Sequence, residues 1–296
     1  GVQTCALPIY SELVDLSDDS EITFLQRARH PRLVMFMGCG RIPESRNIFL
    51  VLEWMNRGDL THFLHGDDAK KPPSWDVRLR LLEDVSDAMR FLHDEMNSLH
   101  RDLKSDNCLL HDVAGRLRAK VADFGLSRFA TRGDDNDAET GDDETKTTTS
   151  GMSPSAAKMT TSVGTPVYMA PELCARDAKK EEVYDNKVDV YSFGLILYES
   201  LALRTPWSEL KTMFTYMIFD RVVKGERPCL DDAMCEDAPN GFVELMKRCW
   251  EGKASNRPAF RVVSSVLNKM ANDPRLGGST TVQSSSSTQI GSNCTS

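Results

Sequence analysis

The strongest constraint in this chain is an abrupt change of hydrophobic period within its first third. Upstream, two apolar runs, LVMFMGCG at 33–40 and IFLVLEWM at 48–55, flank the polar turn RIPESRN, the pattern of two paired strands. Downstream, WDVRLRLLEDVSDAMRFLHDEM places Leu81, Val85, Ala88, Met89, Leu92 and Met96 at helical spacing, with Ser74 in the position of an N-cap. Ahead of the strands, SDDSEITFLQRARHP predicts a helix whose acidic first turn suits the positive end of the dipole and which stops before Pro31. Short strands are expected at 108–111 and 117–121 around the Ala114–Gly115 turn, and helices over 187–203, 208–224, 239–250 and 258–271. The chain is therefore α+β, with one short strand-rich end and one long helical end.

Composition narrows the function. With 296 residues and 40% of them hydrophobic, the chain can bury a large core in one domain or two lobes. A net charge of −8 argues against a nucleic-acid surface, and much of it comes from GDDNDAETGDDETK. The eight cysteines form no C-x-x-C pair and no zinc spacing, so reduced thiols in a cytoplasmic protein are expected. FGLILYESLAL, the most apolar stretch, is far too short to span a membrane and contains Glu199. From Asn272 the Gly/Ser/Thr-rich tail, 272–296, is expected to be disordered.

Chemistry concentrates in HRDLKSDNCLL at 100–110, DFGLS from 123 and GTPVYMAPE at 164–172. In that order they resemble the catalytic loop, metal-binding motif and activation-segment end of eukaryotic protein kinases. DVYSFG at 189–194 and NRPAF at 256–260 extend the resemblance to nearly the whole chain from about Ser17 to Met270. The resemblance implies a two-lobed fold with a partial small lobe at 11–52, a hinge at 53–57 and a mainly helical large lobe at 58–271. It also implies ATP and Mg²⁺ as cofactors and a protein substrate. Asp102 would accept the substrate hydroxyl proton, Lys104 would reach the transferring phosphoryl group, and Asn107 and Asp123 would supply oxygen ligands to the metal. Phe124 and Gly125 would control where Asp123 points, and Arg101 would pair with a phosphorylated activation segment. Asp189 is assigned to holding the catalytic loop, and Glu172 with Arg257 to a buried ion pair. In the small lobe the same resemblance puts the helix-C glutamate at Glu21, the gatekeeper at Leu52, the adenine-facing backbone at Glu53 and Met55, and the floor of the site at Leu109. Leu52 and Leu109 serve packing or nucleotide contact equally well.

A kinase also needs a Gly-rich loop and a strand lysine. No G-x-G-x-x-G precedes Glu21, and the first lysine is Lys70. The opening GVQTCALPIY matches no helix or strand period, and Gly1–Ile9 reads as the in-frame translation of a common sequencing adapter. The expectation is that residues 1–10 are adapter-derived, that native sequence is cut off upstream of Ser11, and that the small lobe keeps only helix C and its last strands. An upstream membrane anchor is left open.

Lys104 stands where Ser/Thr kinases have it, and Thr165 lies before the APE end where the resemblance has it contact both Asp102 and Lys104, while EWMNRGDL, DVYSFG and CWEGKASNRPAF look like the tyrosine-kinase-like group. Ser/Thr specificity is expected, with tyrosine or dual specificity and a pseudokinase scaffold as alternatives. Residues 129–163 carry no apolar period and are expected to form a long disordered insertion of the activation segment. At its end Thr160, Thr161 and Ser162 are candidate phosphosites, for an upstream kinase or autophosphorylation, within reach of Arg101.

Overall fold

The computed structural model describes residues 4–8, 20–42, 48–66, 72–123, 128–129, 165–174, 185–210 and 215–273. The first helix, α1 (Ser20–Arg27), turns Phe24 and Leu25 inward, and Ala28 just beyond it is buried with them. It leads into a three-stranded antiparallel sheet in which β3 (Ile48–Glu53) is central, between β2 (Phe36–Arg41) and β1 (Thr4–Pro8). The expected strand pair is present, with a register shift at Phe36/Gly38 of the kind a β-bulge makes. The outer strand corrects the sequence reading. Thr4–Pro8, which follows no strand period, pairs from Thr4↔Glu53 to Pro8↔Phe49. Antiparallel pairing uses backbone N–H and C=O groups, so an edge strand needs no alternating pattern, and Pro8 is at its end.

Past Glu53 the chain crosses to the large helical part through bonds from Arg57 N–H to the Leu110 carbonyl (3.0 Å) and from Leu110 N–H to the Gly58 carbonyl (2.7 Å). Gly58, at φ 69°, makes the turn that an L side chain resists. Helix α2 (Leu60–His65) follows, capped by Asp59, whose Oδ1 accepts from His62 N–H at 2.8 Å. At six residues it is too short for periodicity to reveal. Helix α3 (Trp75–Arg90) matches the predicted pattern, and Leu81, Val85, Ala88, Met89 and Leu92 have 0% exposure. Ser74 occupies the N-cap position without a side-chain bond, and residues 91–95 continue as a π-helical turn that no sequence signal announced.

Two residues of β4 (Ser98–Leu99) precede the catalytic-loop region and a hairpin of β5 (Cys108–Val113) and β6 (Arg116–Val121). Ala114 and Gly115 both have positive φ, as tight hairpins require. A short β7 (Arg128–Phe129) pairs with β4. The rest is helical: α4 (Pro171–Cys174), α5 (Lys187–Ala202), α6 (Thr215–Val223), α7 (Asp232–Glu236), α8 (Phe242–Cys249) and α9 (Phe260–Ala271). The helix expected at 208–224 is shorter than predicted, because Trp207 takes φ 63° and residues 205–210 close two turns instead. Every residue of α5 from Val188 to Leu201 is buried, as befits a helix apolar on all sides. Gly194 permits the closest approach, since a Cβ there would lie 2.9 Å from the Trp250 nitrogen.

Apart from Phe129, Asn272 and Asp273, the segments expected to be disordered lie outside the described residues. Among the described residues no helix is long and apolar enough to cross a membrane, and the cysteines are free thiols.

Candidate active site

The loop from His100 to Asn107 is held from below by one buried carboxylate. Asp189, on α5 and 1% exposed, accepts the N–H groups of His100 (2.9 Å) and Arg101 (2.8 Å). His93, in the π-helical turn, completes the arrangement at 2.8 Å. Burial pushes the Asp189 carboxyl upward, but the bond and charge of His93 with the charge of His100 outweigh it and hold the group below the usual carboxylate value. The loop is bent as well as anchored. Arg101 has φ 70° and Asp123 φ 63°, left-handed conformations that cost a non-glycine residue roughly 1–2 kcal/mol.

Above this anchor three predicted residues meet. Lys104 Nζ is 3.0 Å from Asp102 Oδ2 and donates to Thr165 Oγ1 at 2.8 Å. Asp102 Oδ1 accepts the Thr165 N–H at 2.8 Å and its hydroxyl at 3.2 Å. Thr165 is 61 positions from Lys104, so the activation-segment end is what closes the cluster. Both charged side chains keep some solvent contact, Asp102 at 13% and Lys104 at 21%.

Asn107 donates its amide to the Asp102 carbonyl at 2.8 Å, an orientation that directs its own side-chain oxygen elsewhere. Its backbone carbonyl accepts from Ala122 N–H (2.9 Å), and the Ala122 carbonyl bonds His100 Nε2 (3.0 Å). The residue before Asp123 is therefore tied to both ends of the loop. An amide oxygen and a carboxylate are the hard donors that Mg²⁺ takes, and the fixed amide orientation fits that use.

Three of the residues expected to face a nucleotide, Leu52, Met55 and Leu109, belong to a small apolar cluster distinct from the main core. Val34, Met55 and Ala122 are buried together, with Leu52 and Leu109 packed against them. Such a cradle suits an aromatic ring. Glu53 is more committed than the sequence reading held. Its N–H donates to the Met35 carbonyl at 3.0 Å, and its carboxylate pairs with Lys120 and accepts from Met35 N–H at 3.3 Å. Of its backbone, the N–H is thus already used.

Glu172 and Arg257 pair through two bonds of 2.6 and 2.8 Å. The guanidinium is fully buried and also donates to the carbonyls of Glu251, Lys187 and Gly252, while Glu172 is 24% exposed, so the pair is buried on one side only. Glu21 is on α1, but its side chain is not among those described, and Phe124, Gly125, Thr160, Thr161 and Ser162 lie outside the described residues.

Sequence reasoning missed a polar chain beside the site. Thr61 Oγ1 is 2.7 Å from Ser105 Oγ, which is 2.9 Å from the Tyr168 hydroxyl, so α2, the catalytic loop and the activation-segment end are bonded in series. Near it, fully buried Glu199 meets His65 Nε2 at 3.3 Å. Burial lowers the His65 pKa, but the bond and charge of Glu199 outweigh that and hold it above the ordinary histidine value. A glutamate inside the most apolar stretch was the available signal.

The comparisons agree with this geometry. Residues 15–269 match the protein kinase domain family. The chain is 34% identical over 252 residues to serine/threonine/tyrosine-protein kinase HT1 of Arabidopsis thaliana, covering 84% of this chain and 54% of that protein. It is 31% identical over 251 residues to serine/threonine-protein kinase CTR1 of the same plant, covering 84% of this chain and 26% of that one. A probable LIM domain-containing serine/threonine-protein kinase of Dictyostelium discoideum is 31% identical over 255 residues, 86% of this chain and 33% of its own. The chain thus spans about half or less of these relatives. With a matching domain over most of its length and the catalytic-loop residues drawn together on a helical scaffold, the chain belongs to the protein kinase family.

Proposed function

We propose that this chain carries the catalytic half of an ATP-dependent protein kinase of the tyrosine-kinase-like group that phosphorylates Ser and Thr in protein substrates. The observation that carries the reading is the contact of Asp102, Lys104 and Thr165 within 2.8 to 3.2 Å. In this reading Asp102 orients the substrate hydroxyl and takes its proton, while Lys104 carries positive charge to the transferring group. Asn107 and Asp123 would hold Mg²⁺, which supplies charge neutralisation on the nucleotide phosphates. Leu52, Met55 and Leu109 would line the adenine site. The names of the relatives support Ser/Thr specificity, and that of HT1 supports a dual-specificity variant of the same reading.

Before Glu21 the chain has neither a G-x-G-x-x-G loop nor a lysine to pair with that glutamate. We therefore propose that these 296 residues alone transfer phosphate poorly or not at all, an observation that also favours a scaffold role as the second reading. The test is peptide phosphorylation by a longer protein that supplies those parts, with Asp102→Asn beside it. Loss of a general base typically lowers the rate by about 10²–10⁴, and an unchanged rate would remove Asp102 from its role. Phosphoamino acid analysis of the product separates Ser/Thr from tyrosine transfer.

One of Thr160, Thr161 and Ser162 is proposed as an activating phosphosite, since phosphate there would place about −1.5 to −2 charges near Arg101. Replacing all three by Ala should lower activity severalfold. Unaltered turnover would rule the site out.

A further inference from the structure

One face of the β5–β6 hairpin is basic in a chain whose net charge is −8. Arg116, Arg118 and Lys120 alternate along β6, opposite Val113, His111 and Leu109 of β5, so the six side chains share one face. The opposite face, with Cys108, Leu110, Ala119 and Val121, is buried in the core. Beside the basic face the turn at Pro31 and Arg32 closes a hollow of about 680 Å³, lined by Arg32, His111, Arg116, Arg118 and Lys120 among others.

The local charge is not balanced. Arg32 and Arg118 share a single carboxylate, Asp84, each through a 2.8 Å contact. Lys120 is matched by Glu53, and Arg116 has no ion-pair partner among the described residues. Four cations thus face two carboxylates. In addition, His111 Nε2 is shielded from solvent and has no hydrogen-bond partner among the described residues. Burial and the charge of Lys120 hold this imidazole below the ordinary histidine value.

We propose that this hollow docks an extended acidic peptide of a partner protein. The geometry selects that ligand over a single small anion. Alternate residues on a strand are about 6.6–6.8 Å apart, which is also the spacing of alternate side chains in an extended peptide. Acids at every second position would meet the row from Arg116 to Lys120 in register, and the volume exceeds what one phosphate fills. None of Asp102, Lys104 and Thr165 lines the hollow, so docking in it would recruit a partner without occupying those groups.

The test is fluorescence anisotropy with the full chain and a labelled peptide carrying three alternate aspartates in a Ser/Thr/Gly background. Saturable binding that weakens with added salt is expected, because contacts at an open surface are screened. Arg116→Glu should weaken it about fivefold or more, and Arg116→Ala less. Arg261→Glu, the same charge change at an exposed position of α9, should leave it unchanged. Equal binding of the peptide with asparagine in place of aspartate, or equal loss with Arg261→Glu, would overturn the proposal. So would complete displacement by millimolar inorganic phosphate, which would indicate a single-anion site.

Discussion

The helical region around α5 and the sheet around β3 are built on opposite economies. In the first, burial is nearly total: α5 has no exposed residue between Val188 and Leu201, and its few charged groups, Asp189 and Glu199, are each met by histidine. In the second, Met35, Met37 and Trp54 are 44–49% exposed and the core beneath is thin. The catalytic loop hangs from the first region through Asp189, whereas the small apolar cluster of Val34, Met55 and Ala122 lies apart from the main core. The difference teaches that the catalytic loop owes its placement to the buried helical part, while the sheet is joined mainly by backbone pairing.

Glu172→Ala should break the helical region most severely. It strands a fully buried guanidinium, which typically costs about 3–5 kcal/mol, less here the relief from three backbone carbonyls. Urea unfolding would measure it, and a change under about 1 kcal/mol would show that the pair does not hold the large lobe.

The two buried histidine–carboxylate contacts give the same region a pH dependence with opposite signs. Asp189 has a depressed pKa, so its contribution is present above the unfolded carboxylate value, about 3.9, and is lost as pH falls through the folded value. His65 has a raised pKa, so its contribution is full below the unfolded value of 6.5 and is lost as pH rises through the folded one. Burial raises the Asp84 carboxyl to about 7, so it too loses stability as pH rises, between about pH 4 and 7. His65→Gln should therefore reduce the fall in urea midpoint above pH 6.5 without touching the acid limb, and an unchanged fall in the variant would reject the assignment.

Met37→Ser should sharpen the contrast from the other side. An exposed side chain on the sheet stabilises little, so the midpoint should move within about 0.5 kcal/mol. A loss of several times that would mean the exposed face is covered by something the fold of these residues does not include.

Much of this was legible beforehand. The apolar spacing from Leu81 to Leu92 named α3, the Ala114–Gly115 turn named the hairpin, and the motifs singled out Asp102, Lys104 and Thr165, which the fold brings together. What escaped was whatever depends on partners rather than on pattern. The strand Thr4–Pro8 forms because β3 offers it a backbone edge, and the π-helical turn at 91–95 carries the His93 that reaches Asp189, 96 positions away. The Glu53 N–H donates to the Met35 carbonyl, 18 positions away, a bond that no spacing announces.

Residue order therefore dictates the kinds of element and the identity of the reactive side chains, because periodicity and motif spacing are local properties of the chain. Which of those side chains touch is settled only when distant segments pack. Thr165 reaches Asp102 across 63 positions, and Asp189 reaches the loop it anchors across 88 and 89. Hydrogen bonds of about 2.8 Å between such residues exist only after the apolar core around α5 has brought the segments together, since burial, not sequence proximity, sets the distance.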